Sequence, residues 1–95
     1  MENISGNSLD ELVKWVISVD RRLVLMETMK GHSVVRASDI AHETSRSTQN
    51  ISRALNELED KDLIECLTPG KTTWKKYALT NRGKEILEIL EQKYL

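Results

Sequence analysis

The chain has 95 residues, of which 39% are hydrophobic and 31% charged, with a formal net charge of −1 and one cysteine, Cys66. This length predicts a single domain over residues 1–95 with one modest core. The apolar runs are too short to cross a bilayer, one cysteine excludes an internal disulfide, and Met1–Asn7 lacks a signal-peptide layout, so we expect a cytoplasmic protein without a membrane partner.

The first third of the chain predicts helical structure. Ser8 and Glu11 have the spacing of a capping box. The apolar positions that follow at helical spacing are Leu9, Leu12, Val13 and Val16. A second helical pattern runs from about Ser18 to Gly31, where glycine favours an end. The polar stretch Asp20–Arg22 is compatible with a joint between two helices or with one bent helix, and both interpretations stay open.

Residues 34–62 predict a short β-prone stretch followed by two helices joined by a tight turn. Ser38 is placed to cap a brief helix over residues 39–44, and Ser47 is placed to cap the next one. The second helix has one apolar face, formed by Ile51, Ala54, Leu55 and Leu58. We expect it to end near Lys61–Asp62.

Residues 63–79 predict a β-hairpin, which we call the wing. Its strands would span 63–67 and 72–79, the second rich in the β-favouring residues Thr, Trp and Tyr. Between them, Pro69 and Gly70 occupy the places that a type II turn prefers. Thr80 is placed to cap a last helix, whose apolar residues are Ile86, Leu87, Ile89, Leu90 and Tyr94. The predicted fold class is therefore mainly α with a small β-hairpin.

The near-neutral total charge hides a segregation of charge along the chain. The stretch from Thr44 to Asn56 contains two arginines and no acid, and the stretch from Cys66 to Lys84 again contains no acid. The cations of this second stretch are Lys71, Lys75, Lys76, Arg82 and Lys84. The acids concentrate in residues 57–65 and in the last helix, which predicts one clearly positive face.

The outward half of the second helix suits the major groove of DNA. Glutamine and asparagine can bind adenine, arginine can bind guanine, and serine or threonine can reach phosphate. Lysines on the wing would lie along the backbone or over the minor groove. We therefore predict that helix 47–61 enters the major groove of double-stranded DNA and that wing 63–79 contacts the backbone. The candidate contacts are Arg36, Ser38, Arg46, Ser47, Thr48, Gln49, Asn50, Ser52, Arg53, Lys71, Thr72, Lys75 and Lys76.

Four segments resemble the winged-helix regulators of the MarR and ArsR type, particularly the compact versions common in archaea. The segments are Asp39–Ala41, Ser47–Glu59, Leu63–Ile64 and Tyr77–Lys84, and the Leu-Thr-x-x-Gly ending after the basic hairpin is the most specific part. The resemblance implies a winged helix-turn-helix fold, a homodimer and operator binding that represses or activates genes. It also implies that Ser47–Asn50 and Arg53 contact DNA. Asp62 stands where the family often has glycine, and aspartate tolerates the left-handed conformation.

The sequence offers little support for metal, cofactor or catalytic chemistry. No pair among His32, His42 and Cys66 has a ligand spacing on one helix, so we expect an exposed His42 and a buried Cys66, although a reactive thiol stays open. No phosphate-binding glycine loop or nucleophile elbow is present. We interpret acidic residues of helix 47–61, such as Glu57, as surface charge. Because no candidate catalytic group is left, we expect no enzyme.

The terminal helices, over residues 1–18 and 81–95, are the expected dimer surface. Their apolar stripes exceed what one small core can bury, and surplus apolar surface predicts a partner. A symmetric dimer would place two recognition helices about 34 Å apart on a palindromic site. Trp15 could belong to the core or to the interface. We expect Trp74 and Tyr77 to pack the hairpin onto the helices, with DNA contact by Trp74 as the alternative.

The rival function is a winged-helix module that binds protein within a transcription or repair assembly and has no affinity for DNA. The acid-free stretch through the second helix and the wing favours DNA. The sequence leaves open the operator, the regulated genes, the sign of regulation and any small-molecule effector.

Overall fold

The computed structural model describes residues 4–70 and 74–93, and within these ranges it contains five helices and three short strands. The elements in chain order are α1 Ile4–Ile17, α2 Asp20–Met29, β1 Val35–Arg36, α3 Ala37–Thr44, α4 Thr48–Asp60, β2 Ile64–Cys66, β3 Lys76–Leu79 and α5 Asn81–Lys93. The helix-turn-helix formed by α3 and α4, followed by a β-hairpin and a last helix, confirms the predicted winged helix-turn-helix fold.

The N-terminal region forms two helices rather than one bent helix. Ser18 and Val19 separate α1 from α2, and Val19 has an extended backbone with φ −132°. The predicted capping box at Ser8 is wrong, because α1 already begins at Ile4 and Ser8 lies within it. The same spacing of serine and glutamate fits inside a continuous helix, where the backbone ladder satisfies the amides that a cap would serve.

The helix-turn-helix begins two residues earlier than predicted. Ser38 lies inside α3, and Arg36 occupies the N-cap position without a side-chain cap. Ser45 ends α3 in the left-handed conformation with φ 57°, and the amide of Arg46 then donates to the carbonyl of Ala41 at 3.0 Å. The prediction for Ser47 is confirmed, because its Oγ accepts from the amide of Asn50 at 3.0 Å.

The short β-prone stretch predicted near residue 35 forms β1, and it joins the two strands of the hairpin in one sheet. The sheet is antiparallel in the order β1-β3-β2, with Tyr77 paired to Val35 on one side and to Cys66 on the other. The type II turn is wrong, because Gly70 lacks the positive φ which that turn requires at its third position.

The described residues share one aliphatic core to which every helix contributes. Its fully buried large side chains are Val16, Leu25, Met26, Met29, Ile40, Ile51, Leu55, Leu58, Leu63, Ile64, Ile86 and Leu90. The four predicted apolar residues of α4 are all buried. Within the described ranges no helix is long and apolar enough to cross a membrane.

The terminal helices bury more of their apolar residues than the sequence predicts. Val13 and Val16 of α1 are buried, as are Ile86, Leu87 and Leu90 of α5. Leu9, Leu12 and Ile89 are only partly buried against this core, and Tyr94 lies outside the described residues. Most stripe residues are therefore buried, because α1 and α5 pack against each other, and the predicted surplus is confined to residues such as Leu9 and Leu12.

The end of α4 and the start of α5 are joined by a compact hydrogen-bonded latch. The hydroxyl of Thr80 donates to the carbonyl of Asp62 at 2.7 Å and accepts from the amide of Gly83 at 3.0 Å, which confirms Thr80 as the cap of α5. The amide of Thr80 donates to the carbonyl of Leu63 at 3.1 Å. Asp62 has φ 63°, as its place in the family pattern predicts. These bonds set the position of the wing relative to α4.

Candidate nucleic-acid interface

The outward side of α4 presents polar side chains in two adjacent stripes. Residues four apart lie on the same face of a helix, so Gln49 and Arg53 form one stripe, and Thr48, Ser52 and Asn56 form the next. All except Ser52, which is half-buried, are exposed. Over its first turns, this side of α4 therefore offers amides, hydroxyls and one arginine without a carboxylate.

A groove of about 360 Å³ separates the second stripe from the base of the wing. Thr48, Ser52 and Asn56 line one wall, and Trp74 and Lys75 line the other. Arg36, Ala37 and Ser38 also line the groove, and the buried Leu55 and Tyr77 form an apolar floor. The lining contains two cations and no carboxylate, so the groove is electropositive.

Trp74 does not pack the hairpin onto the helices, and that prediction is wrong. Its side chain is 72% exposed, and its backbone lies in the left-handed region with φ 62°. Tyr77 alone takes the expected packing role, since it is 5% exposed at the centre of the sheet. Burial raises the pKa of the Tyr77 hydroxyl. The indole of Trp74 instead belongs to the surface formed by α4 and the wing.

Some of the candidate contacts are engaged within the protein. Arg46 pairs with Asp20 and donates to Oδ1 of Asn50 at 3.2 Å, so it ties the start of α4 to α2. Arg36 pairs with Asp39 at 3.2 Å on the exposed surface. Ser47 and Asn50 form the cap of α4. Arg46, Ser47 and Asn50 thus hold the N-terminus of α4 in place, and Asn50 is half-buried there.

The remaining candidates have outward-facing side chains or lie outside the described ranges. Arg53 is exposed and has no ion-pair partner among the residues that the structure describes. Lys75 and Lys76 are exposed at the start of β3. Lys71 and Thr72, at the predicted tip of the wing, are outside the described residues.

A cluster of charged residues that the sequence did not predict anchors α4 to α2. Glu57 accepts from Nε and Nη2 of Arg21 at 2.9 and 2.6 Å and from the guanidinium of Arg22 at 3.3 Å. The hydrogen bond from Arg21 lowers the pKa of Glu57 most, and the pKa falls to about 2. Glu57 is therefore half-buried structural charge rather than plain surface charge, and it ties α4 to α2.

Trp15 belongs to the same anchor. The guanidinium of Arg22 lies 3.9 Å from the centre of the Trp15 ring, a cation–π geometry. The same guanidinium donates to the carbonyl of Trp15 at 2.9 Å. No local sequence pattern indicates this cluster, because Arg21 and Glu57 are 36 residues apart in the chain and meet only in the fold.

The other candidate groups form no assembled centre. His42 is exposed, as expected, whereas Cys66 is half-buried at the end of β2 rather than fully buried. His32 lies 3.2 Å from Glu43 on the surface. Within the described residues no three His, Cys, Asp or Glu side chains converge in a way that could hold a metal ion. A second cavity, of about 560 Å³, lies between α2 and α5 with lining charges of both signs.

Comparison with known proteins adds a family to this geometry. The family described as HxlR-like helix-turn-helix matches residues 13–94. None of the curated proteins gives a significant match.

Solved structures share the fold at low sequence identity. The antimony-specific transcriptional repressor AntR has a TM-score of 0.74 and 18% identity, over 97% of this chain and 78% of its own. TubR, solved on 24 base pairs of tubC from Bacillus thuringiensis serovar israelensis, has a TM-score of 0.73 and 21% identity, over 90% and 94%. A mutant of S. aureus MepR has a TM-score of 0.65 and 19% identity, over 95% and 69%.

Proposed function

Because the chain belongs to the HxlR-like helix-turn-helix family, we propose that it is a transcriptional regulator that binds double-stranded DNA sequence-specifically. The observation that carries this proposal is the carboxylate-free surface of Thr48, Gln49, Ser52 and Arg53 beside the electropositive groove. Side chains of these types read base edges and bind phosphates in the major groove. They offer no paired nucleophile and base, so the function is binding rather than catalysis.

In this proposal the candidate residues divide into two roles. Gln49 and Arg53 face outward on α4 and would contact base edges. Ser47 and Thr48 at the start of the helix, with the wing lysines, would contact phosphates. Arg46, bound to Asp20 and Asn50, would hold the end of α4 at the angle that this docking requires.

The similar structures agree with this role without assigning its details. AntR is described as a transcriptional repressor, and TubR was solved bound to DNA. The narrower assignment to a MarR or ArsR type, in a compact archaeal version, stays a prediction, because the family that matches is HxlR-like. A regulator of this kind would act in the cytoplasm, where its DNA lies.

We also propose that the protein acts as a homodimer through α1 and α5. The partly buried apolar residues of these helices include Leu9, Leu12 and Ile17 of α1 and Ile89 of α5. Pairing these residues across a two-fold axis would remove that surface from water and place two copies of α4 about one DNA turn apart. Sedimentation equilibrium should show a dimer at micromolar concentration that Ile89→Lys dissociates, and a monomeric wild type would contradict the proposal.

Fluorescence anisotropy with DNA from the region upstream of its own gene tests the binding function. We expect Arg53→Ala to weaken binding by about 10-fold or more, the value of one bidentate base contact. Lys93→Ala is the matched control, since it removes one exposed cation at the end of α5, outside α4 and the groove, and should have little effect. Binding should also weaken steeply as salt rises.

Absence of binding at low salt by a folded protein would contradict the proposal. It would favour the rival winged-helix module that contacts only protein.

A further inference from the structure

The groove between α4 and the base of the wing has the chemistry of a binding site for one DNA strand. Hydroxyl groups of Thr48 and Ser52 and the amide of Asn56 supply hydrogen-bond donors along one wall. Lys75 supplies positive charge on the other wall. Phosphate oxygens are bound in proteins by this combination of hydroxyl donors and cations. The larger cavity between α2 and α5 lacks this complementarity, because Glu88 and Glu91 line it beside its cations.

Trp74 is the unusual member of this groove. A tryptophan that is 72% exposed keeps a large apolar surface in water. Its φ of 62° adds a conformational cost of about 1–2 kcal/mol for a residue with a side chain. Backbone conformations of this kind cluster at ligand-binding sites, where the residue must point in one direction. At Trp74 that direction is toward the groove that faces α4.

We infer that this groove seats one sugar–phosphate strand, with the indole of Trp74 packed against a deoxyribose. Lys75 lies at the groove and neutralises a phosphate there, and Arg36, whose ion pair with Asp39 is exposed to solvent, adds a second cation. The inference rests on the proposed function, because the strand is the one that borders the major groove occupied by α4. Trp74 is a positioning residue here: it sets the distance between helix and backbone without reading a base.

A contact to the backbone predicts a distinctive response to mutation. Trp74→Ala should weaken binding about tenfold for the upstream duplex and for an unrelated duplex alike, because backbone contacts contain no sequence information. Trp74→Phe should restore most of the affinity. Val34→Ala is the matched control, since Val34 is an exposed apolar residue outside the groove and its loss should leave affinity unchanged.

Tryptophan fluorescence tests the inference directly, since the chain has two tryptophans. In Trp15→Phe, Trp74 is the single emitter, and we expect duplex DNA to reduce its acrylamide quenching several-fold. In Trp74→Phe, the emission of Trp15 serves as the reference and should keep its quenching constant. Anisotropy of the labelled duplex, followed in the same titrations, reports whether DNA is bound.

The possible results distinguish a failure of this inference from a failure of the proposed function. If anisotropy shows a complex while Trp74 stays as accessible to acrylamide as in the unbound protein, the inference is wrong and the proposed function stands. Wild-type affinity in Trp74→Ala would overturn it in the same way. If no complex forms at low salt, the proposed function fails and the inference fails with it.

Discussion

Gly83 is the position where a single added methyl group should have the largest effect on the fold. It lies in the first turn of α5, and a Cβ built there would overlap the backbone carbonyl oxygen of Leu63, far closer than real Cβ atoms come. It would also lie 3.0 Å from Cδ2 of Leu79. The closest atom belongs to the backbone rather than to a flexible side chain, so the start of α5 itself must move.

The magnitude follows from the bonds that this movement strains. The latch around Thr80 consists of hydrogen bonds of 2.7, 3.0 and 3.1 Å to Asp62, Gly83 and Leu63. Losing two or three such bonds costs about 1 kcal/mol each. Alanine recovers about 1 kcal/mol over glycine through helix propensity. We therefore expect Gly83→Ala to reduce the free energy of unfolding by about 1–2 kcal/mol.

Urea denaturation followed by circular dichroism measures this change. Gly31→Ala and Gly70→Ala are matched controls, because a Cβ at either glycine meets no atom within 4 Å and neither has a positive φ. Both controls should stay within about 0.5 kcal/mol of the wild type or exceed it. A Gly83→Ala protein as stable as the wild type would refute the reasoning, since an unconstrained helical glycine gains stability on this substitution.

The other predictions concern the anchor, the latch and the cap of α4. Because folding lowers the pKa of Glu57 from 4.5 to about 2, its stabilisation is complete above pH 4.5 and is lost as the pH falls toward 2. In acid titrations Glu57→Gln should flatten this loss and cost about 1–2 kcal/mol at pH 7, a value discounted for partial exposure. Asp62→Gly should raise the melting temperature slightly, because glycine relieves the left-handed strain at φ 63°. Thr80→Val should cost about 1–2 kcal/mol in urea, and Thr80→Ser should restore it. Ser47→Ala should cost about 1 kcal/mol by the same measurement, and an unchanged midpoint would contradict its capping role.

Local signals account for what the sequence predicted correctly. The apolar face of α4 has helical periodicity, and Ser47 and Thr80 are hydroxyl residues at the start of such patterns. Asp62 could be assigned a left-handed backbone because it follows the helix in the place of a glycine. Each of these features depends on neighbours within a few residues. The capping pattern at Ser8 shows the limit, since it is equally compatible with the middle of a longer helix.

Features that depend on distant contacts could not be predicted in this way. In the sequence nothing distinguishes Glu57 from the other acids of α4, because Arg21 and Arg22 come beside it only in the fold. Gly83 belongs to the Leu-Thr-x-x-Gly ending, the most specific motif of the sequence. A glycine is needed there because the carbonyl of Leu63 approaches closely, and this contact forms only in the fold. Strand alternation could not place Trp74 either, because it lies before β3 and its φ of 62° departs from an extended backbone.

Selection from a pool of random duplexes shows whether α4 and the wing bind a specific DNA sequence. We predict that the wild-type protein enriches a palindromic motif with half-sites about one helical turn apart, and that Arg53→Ala loses the enrichment at one base pair of each half-site. A folded wild-type protein that enriches no motif over the starting pool would contradict the account.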